Sequence, residues 1–324
     1  MAIRVGILGA AAIAPNVIIY PARDNPDFEI VAVGARNPDR AEAYAAKHGI
    51  PHISKDYDAL VRRDDIDLVY NALPAASHAA WSIAALQAGK HVLCEKPFAM
   101  NAAQARRMNE AAAKSGRKLV EAFHYRHHNV MKRMVEIVRS GELGKISSAY
   151  GDFTYPVPYR EDQFVWIREQ GGGVLMDMGC YPMHALRTLM ESEPKILDAT
   201  CTMEHGVDVT TRADMDFRGV PATLYCSMKT ERMDIKLKLI GEKGSMEVTG
   251  YTIPQWGCTF NVMVGGVARA EPTDGPATYV AQLAELGDVL LRGKPQLITN
   301  ADSLSNMIAI DAVFAAAGVN REFD

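Results

Sequence analysis

Up to about residue 122 the chain alternates short, nearly continuous apolar runs with stretches of helical periodicity. Residues 4–8 (RVGIL), 29–33 (EIVAV), 67–71 (DLVYN), 90–94 (KHVLC) and 118–122 (KLVEA) are such runs. Strands of this kind suit a sheet covered on both faces. Between them the helices announce their ends. Asn37 followed by Pro38 predicts a cap with proline at the first helical position, and the helix runs to Gly49. Asn101 with Gln104 three residues on predicts a second capped helix, ending at Gly116. Strand and helix in steady alternation predict a doubly wound parallel α/β sheet.

Beyond residue 122 the pattern changes. A helix is predicted over 129–139, closed by Ser140-Gly141. In residues 234–239 Ile235, Leu237 and Leu239 share one face, and Lys236 and Lys238 take the other. A turn at 241–244 and a return strand over 245–249 complete a hairpin. Antiparallel sheets can leave one face wet, as this alternation requires. Helical patterns return at 279–292 and 301–317. The expectation is an α/β chain in two domains: a doubly wound parallel-sheet domain over 1–122, then an α+β domain over 123–324 with a large, mainly antiparallel open sheet. A length of 324 residues is consistent with two cores.

Composition narrows the partners. Charged residues make up 23% and the net charge is −4, which gives no reason to expect nucleic acid or an anionic membrane. No run reaches the roughly 20 apolar residues of a bilayer span. The first 24 residues, with one early Arg4 and interrupted by Pro15 and Asn16, read as strand, turn and helix rather than a leader. Five scattered cysteines without a C-x-x-C pair suit a reducing compartment, so the cytoplasm is expected.

The first strand runs into Gly9-Ala-Ala11-Ala12-Ile13-Ala14. In G-x-G-x-x-G terms these positions hold Gly9, Ala11 and Ala14, so only the tight-turn glycine matches. Taken alone, a small-residue turn without a ligand is an equal reading. The second strand ends in Val33-Gly-Ala-Arg36-Asn-Pro-Asp-Arg40. The acid that usually meets a ribose 2′-hydroxyl is missing there, and two guanidiniums, which match a phosphate, stand near. NADP is therefore favoured, with NAD the second choice; the alternative is that Arg36 stacks on adenine or faces solvent.

More specific is Leu73-Pro74-Ala-Ala-Ser-His78, followed by Ala85-Leu-Gln-Ala-Gly-Lys-His-Val-Leu-Cys-Glu95-Lys96-Pro97. With Glu121-Ala-Phe-His-Tyr-Arg126 and Gly171-Gly-Gly-Val-Leu-Met-Asp177-Met-Gly-Cys-Tyr181, the chain resembles the glucose–fructose oxidoreductase/inositol dehydrogenase (Gfo/Idh/MocA) family. Within it the nearest likeness is to D-xylose dehydrogenases and dimeric dihydrodiol dehydrogenases, which share the GILGAA-type opening and a Tyr at position 181. The resemblance implies a dehydrogenase or reductase acting on a CH–OH group of a sugar, polyol or cyclic diol. It implies that Lys96 contacts both cofactor and substrate hydroxyl, and that Pro97 is cis. It places Leu73, Pro74, His78, Glu95, Arg126, Trp166, Arg168 and Tyr279 near the cofactor. It also implies a homodimer or homotetramer.

The physics agrees for Lys96, which ends a strand where such folds bind ligands and can stabilise charge developing on a carbonyl oxygen. Asp177 and Tyr181, four apart, share a helix face. Tyr181, its pKa lowered by Lys96, becomes an acid/base, with Asp177 holding the substrate hydroxyl or the ammonium. The alternatives are a core tyrosine and a capping aspartate. Whether Lys96 or Tyr181 moves the proton is open. Further substrate candidates are His184, Tyr155, Tyr159 and Arg160. For His78 a buried ring bonded to backbone is an equal reading. His124, His127 and His128 cluster, but without a helical partner pattern no metal is expected. Two rival functions stand beside the dehydrogenase: a regulator that senses NAD(P) without turnover, which would not need Lys96, Asp177 and Tyr181, and a biosynthetic keto-sugar reductase using the same site.

Overall fold

The computed structural model describes residues 2–321. The chain divides into two compact units, one holding residues up to 123 together with 279–304, the other holding 124–278 and the segment from 305 onward.

In the first unit β1 (Ile3–Leu8), β2 (Phe28–Gly34), β3 (His52–Ser54), β4 (Leu68–Asn71), β5 (His91–Cys94) and β6 (Leu119–Glu121) form one sheet. The order is β3-β2-β1-β4-β5-β6 and every pairing is parallel. Helices cover both faces of such a sheet, and the central strands are accordingly buried along their length, from Val5, Ile7 and Leu8 to Val92, Leu93 and Cys94. The predicted caps are present. Asn37 accepts from the Arg40 amide ahead of the helix Pro38–His48, and Gly49 closes it in the left-handed region at φ 72°. Asn101 likewise accepts from the Gln104 amide. One segment goes beyond a division at residue 122: Leu283 and Leu286, on the helix Thr278–Leu291, bury against Ile18, Phe28 and Tyr70 in this unit's core.

The second unit is built on β7 (Ile146–Thr154), β8 (Lys195–Glu204), β9 (Val207–Phe217), β10 (Val220–Ser227), β11 (Asp234–Gly241), β12 (Gly244–Thr249), β13 (Thr259–Val264) and β14 (Val267–Ala270). The order is β14-β13-β12-β11-β7-β10-β9-β8. Only β7 and β10 run parallel; the remaining pairings are antiparallel. The predicted hairpin is β11–β12, with Leu237 opposite Val248 and Lys238 opposite Glu247. Ile235, Leu237, Leu239, Met246 and Val248 are buried on one face, while Lys238 and Glu247 pair at 3.2 Å on the other. The helix Cys180–Met190 lies close over β7, because a Cβ at Gly151 would come within 3.0 Å of Pro182 Cβ and 3.3 Å of Leu186 Cδ1. Among the described residues no helix is long and apolar enough to cross a membrane, and all five cysteines are free thiols.

The hairpin's alternation gives a paired test. Leu237→Ala is expected to cost about 3 kcal/mol, and Lys238→Ala about 0.5 kcal/mol or less, in urea unfolding. Equal losses would contradict the assignment of the two faces.

Candidate active site

The order of the first sheet reverses between β1 and β4, so a crevice opens at the carboxyl ends of these two strands. Gly9 leaves β1 at φ 92°, and a Cβ there would stand 2.9 Å from Leu73 Cδ2. Its amide donates to Gly34 O at 2.8 Å. Two side chains from the helix Pro38–His48 then hold the turn. Arg40 donates to the Ala10 carbonyl at 2.9 Å, and Tyr44 donates its hydroxyl to the Ala11 carbonyl at 3.0 Å. Burial pushes the Tyr44 phenol up to about 12, so it stays a donor. With those carbonyls turned back, the amides of Ala10, Ala11, Ala12 and Ile13 meet no protein acceptor among the described residues. Successive amides facing outward at the start of a helix make an anion cradle. That is the observation by which a dinucleotide pyrophosphate fits. Arg36 lies exposed at the end of β2.

A second frame surrounds Lys96, which follows β5. The Lys96–Pro97 peptide is cis. Tyr70 donates to Glu95 Oε1 at 2.6 Å, and the Lys96 amide donates to Glu95 Oε2 at 3.3 Å. Burial, with Glu95 adding to it, holds the Tyr70 phenol well above its ordinary pKa, so it too stays protonated. Behind the loop His78 is buried, with Nδ1 2.9 Å from the Pro97 carbonyl and Nε2 2.7 Å from the Leu73 carbonyl. Burial lowers the His78 pKa, and the two carbonyls oppose that shift. This is the backbone-bonded reading of His78: it ties the Leu73-Pro74 turn to the Lys96-Pro97 loop. Asn71, fully buried, donates to the His78 carbonyl at 3.2 Å and Ser82 Oγ at 3.1 Å, fixing the same turn from beneath. Tyr279 belongs to this unit, and its phenol is pushed up by burial first and by Glu95, against the opposing charge of Lys96.

In the second unit the glycine triplet has a steric cause. A Cβ at Gly172 would fall 2.6 Å from the Val165 carbonyl oxygen, and one at Gly173 (φ 110°) would collide with the Asp208 carboxylate. Asp208 accepts from the Leu175 amide at 2.9 Å and the Thr211 hydroxyl at 2.7 Å, anchoring the start of the next helix. That helix opens with a wide π-type turn, Leu175–Gly179, before the α-helix Cys180–Met190. Such turns mark many functional sites. Asp177 is half-buried and Tyr181 is buried to 7% exposure. Tyr181 Oη lies 3.2 Å from His124 Nε2, and its ring packs against Tyr125 and Phe153 at 5.7 and 5.6 Å.

The remaining candidates are spread. His184 is fully buried with Nδ1 2.6 Å from the Tyr125 hydroxyl. Trp166 is buried and donates to the Pro158 carbonyl at 3.1 Å. Arg168 donates to the Asn320 carbonyl at 2.7 Å. Arg126 is half-buried. Tyr155 and Tyr159 are about half exposed, Tyr159 stacked on His205 at 3.8 Å, and Arg160 pairs with Asp162 on the surface. The three clustered histidines do not converge: His124 faces Tyr181 and Thr278, His127 is buried without a hydrogen-bond partner, and His128 caps the helix Asn129–Arg139. Sequence reasoning missed Tyr44, Asn71 and Asp208. Tyr44 had a signal, since it stands one helical turn after Arg40, and so did Asp208, an acid between Val207 and Val209.

A parallel six-stranded sheet with an anion cradle at its switch point, beside a lysine-bearing loop, defines a nicotinamide-dinucleotide oxidoreductase. Residues 3–123 match the model of an oxidoreductase family with an NAD-binding Rossmann fold, Gfo/Idh/MocA, and residues 131–247 match that family's C-terminal domain. The chain is 30% identical to D-xylose 1-dehydrogenase (NADP(+)) 2 of Haloferax volcanii over 96% of both chains. With an uncharacterized oxidoreductase, ORF334, of Rhizobium meliloti it shares 36% identity over 67% of this chain, and the match spans 65% of that protein's length. Its fold superposes, with a TM-score of 0.90 and 29% identity over 98% of both chains, on KijD10, a 3-ketoreductase from Actinomadura kijaniata in complex with NADP and TDP-benzene. The chain belongs to the Gfo/Idh/MocA family of oxidoreductases.

Asp208 generates a pH prediction. Burial raises its carboxyl to about 6, against its hydrogen bonds and the Arg321 charge, which lower it. The folded protein thus holds this proton more tightly than the unfolded chain does. The resulting stability is complete below the ordinary carboxylate pKa and is lost as pH rises through about 6. In Asp208→Asn that component should vanish. Thermal unfolding between about pH 4 and pH 7 should show the wild type losing up to about 3 kcal/mol relative to the variant. Parallel curves would refute the assignment.

Proposed function

We propose that this protein transfers hydride reversibly between NADP(H) and a secondary alcohol or carbonyl carbon of a sugar, polyol or cyclic diol. The observation that carries the reading is the framed Lys96 at the carboxyl end of β5, in the same unit as four β1-turn amides that meet no protein acceptor among the described residues. The nicotinamide supplies or accepts the hydride, and the protein supplies orientation and charge. The cradle at Ala10–Ile13 would hold the pyrophosphate and Arg36 the 2′-phosphate, with Arg40 shared between that corner and the Ala10 carbonyl. Lys96 would stabilise negative charge on the reacting oxygen. We assign Tyr181 as the proton carrier and Asp177 as a substrate-hydroxyl acceptor. NADP is favoured over NAD because guanidiniums stand where an acid would meet a free 2′-hydroxyl, and because the Haloferax relative is an NADP(+) enzyme and the Actinomadura structure holds NADP.

The proposal includes a cytoplasmic protein, supported by its free thiols, and self-association, which the family resemblance implies. The sheet face carrying Lys238 and Glu247 is ion-paired, so a dimer formed on it would weaken with salt, as light scattering would read.

Cofactor absorbance over a panel of aldoses, inositols, anhydrosugars and diols tests the activity. Lys96→Ala should lower turnover by about 100-fold or more while the protein still binds NADP. Full activity in that variant would remove Lys96 from the chemistry, and tight NADP binding without any turnover would favour a sensor. Separately, Arg36→Ala should weaken NADP about 10- to 100-fold and leave NAD within about threefold. Equal effects on both cofactors would undo the 2′-phosphate assignment.

A further inference from the structure

The second unit contains a side-chain line that the proposed chemistry does not yet use. His124 is 3% exposed and Thr278 is fully buried. His124 Nε2 lies 3.2 Å from Tyr181 Oη, and His124 Nδ1 lies 2.8 Å from Thr278 Oγ1. The two aromatic rings meet edge to face, at 5.9 Å and 68°. Behind them the exposed Gln255 donates its amide to Thr278 Oγ1 at 3.3 Å. The order is therefore Gln255, Thr278, His124, Tyr181, from surface to phenol.

Donor bookkeeping allows this line a direction that would suit an acid. Gln255 Nε2 can only donate, so it takes one lone pair of the Thr278 hydroxyl. When that hydroxyl gives its own proton to His124 Nδ1, the imidazole carries its hydrogen on Nε2 and must donate to Tyr181 Oη. The phenol's single proton is then aimed away from His124, toward another acceptor. A tyrosine hydroxyl that receives a hydrogen bond is a better acid, because the same N–H holds the phenolate left behind.

We infer that His124 is a positioning residue for Tyr181: set by Thr278, it donates Nε2–H to the phenol oxygen and stabilises the phenolate while the proton is away. This deepens, and rests on, the reading of Tyr181 as the proton carrier. In reduction the Tyr181 O–H bond breaks and its proton goes to the carbonyl oxygen as hydride reaches the carbonyl carbon from the reduced nicotinamide. In oxidation the phenolate takes the alcohol proton as hydride leaves for the oxidised nicotinamide. His124 keeps its own proton in both directions. The opposite tautomer, with Tyr181 donating to Nε2, would favour the neutral phenol and make it a weaker acid.

The titratable neighbour packed on the Tyr181 ring is Tyr125, backed by His184 and Tyr251; Asp177 and Cys180 lie on the same helical segment, and Asp152, next to Phe153 on β7, takes the other sheet face with Tyr150 and Lys236, where burial raises its carboxyl. Comparison of variants at fixed substrate and cofactor separates His124 from these.

The experiment is a kcat–pH profile with NADP and the best substrate for wild type, Tyr181→Phe, His124→Phe, His124→Gln and Thr278→Val, with NADP affinity measured in parallel. Tyr181→Phe should lose about 100-fold or more in kcat. His124→Phe should lose about 10-fold or more in kcat rather than in KM, with the tyrosine limb moved up by about one pH unit and NADP affinity unchanged. His124→Gln, whose amide N–H can reach the same oxygen, should recover most of that loss with little movement of the limb. Thr278→Val should move the limb up by less. If Tyr181→Phe is inactive while His124→Phe keeps the wild-type limb or moves it down, the His124 inference is wrong and the proton-carrier reading survives. If Tyr181→Phe is fully active, the reading beneath it fails. Should His124→Phe not fold, Thr278→Val decides: an unmoved limb overturns the inference.

Discussion

The shape of the first unit's β1 turn rests on two carbonyls being turned back. A backbone turn presents amides and carbonyls in equal number, and alone it would repel an anion as readily as attract one. Arg40 and Tyr44 break that balance by donating to the carbonyls of Ala10 and Ala11. The amides of Ala10 to Ile13 are left as a set without a protein acceptor among the described residues. This compensates for a glycine pattern in which only Gly9 keeps its residue. Alanine at the second position limits backbone approach, yet the electrostatic character of the turn comes from side chains one helix away. The spacing of Arg40 and Tyr44, one turn apart on a helix capped by Asn37, carries that design.

The Lys96 loop follows the same logic with different means. Its carbonyl at Pro97 and the carbonyl at Leu73 are bridged by one buried imidazole, and its carboxylate neighbour Glu95 is held by Tyr70 from β4. Two loops that leave neighbouring strands are thereby fixed by side chains rather than by sheet pairing. In the second unit the Asp177–Tyr181 segment is fixed by steric fit, since Gly172 and Gly173 admit no side chain and Asp208 receives the first free amide of the helix. Lys96 and Tyr181 thus stand on segments whose backbone is over-determined, which is what pre-organised chemistry requires.

Much of this was legible in the sequence. The near-continuous apolar runs marked five of the six parallel strands, and the caps Asn37 and Asn101 marked two helices, because burial and capping are local rules. The strand β3 escaped, being three residues long with His52 and Ile53 exposed, too short to show a period. The helix Thr278–Leu291 was foreseen as a helix, but an apolar face says that it is covered and not by which core. Lys96, Asp177 and Tyr181 stood out through their motifs. Thr278, 154 residues from His124, carried no signal, since only the tertiary fold brings a hydroxyl to an imidazole at that separation.

The three histidines at 124, 127 and 128 show why residue type alone could not decide their roles. Burial drives the His127 pKa down to about 3, so the ring stays neutral at any ordinary pH and fills space. His128 turns its Nδ1 to the Val130 amide and serves as a helix cap, which needs an acceptor and no charge. His124 alone has both nitrogens set against hydroxyl groups, one of them a phenol. A metal would require the three rings to converge on a point, whereas the turn His124–His127 and the helix after it send them to different neighbours. The same imidazole is thus filler, cap and hydrogen-bond bridge within five residues, and only the identity of the facing atom distinguishes them. That criterion ties His124 to Tyr181 and separates it from its neighbours.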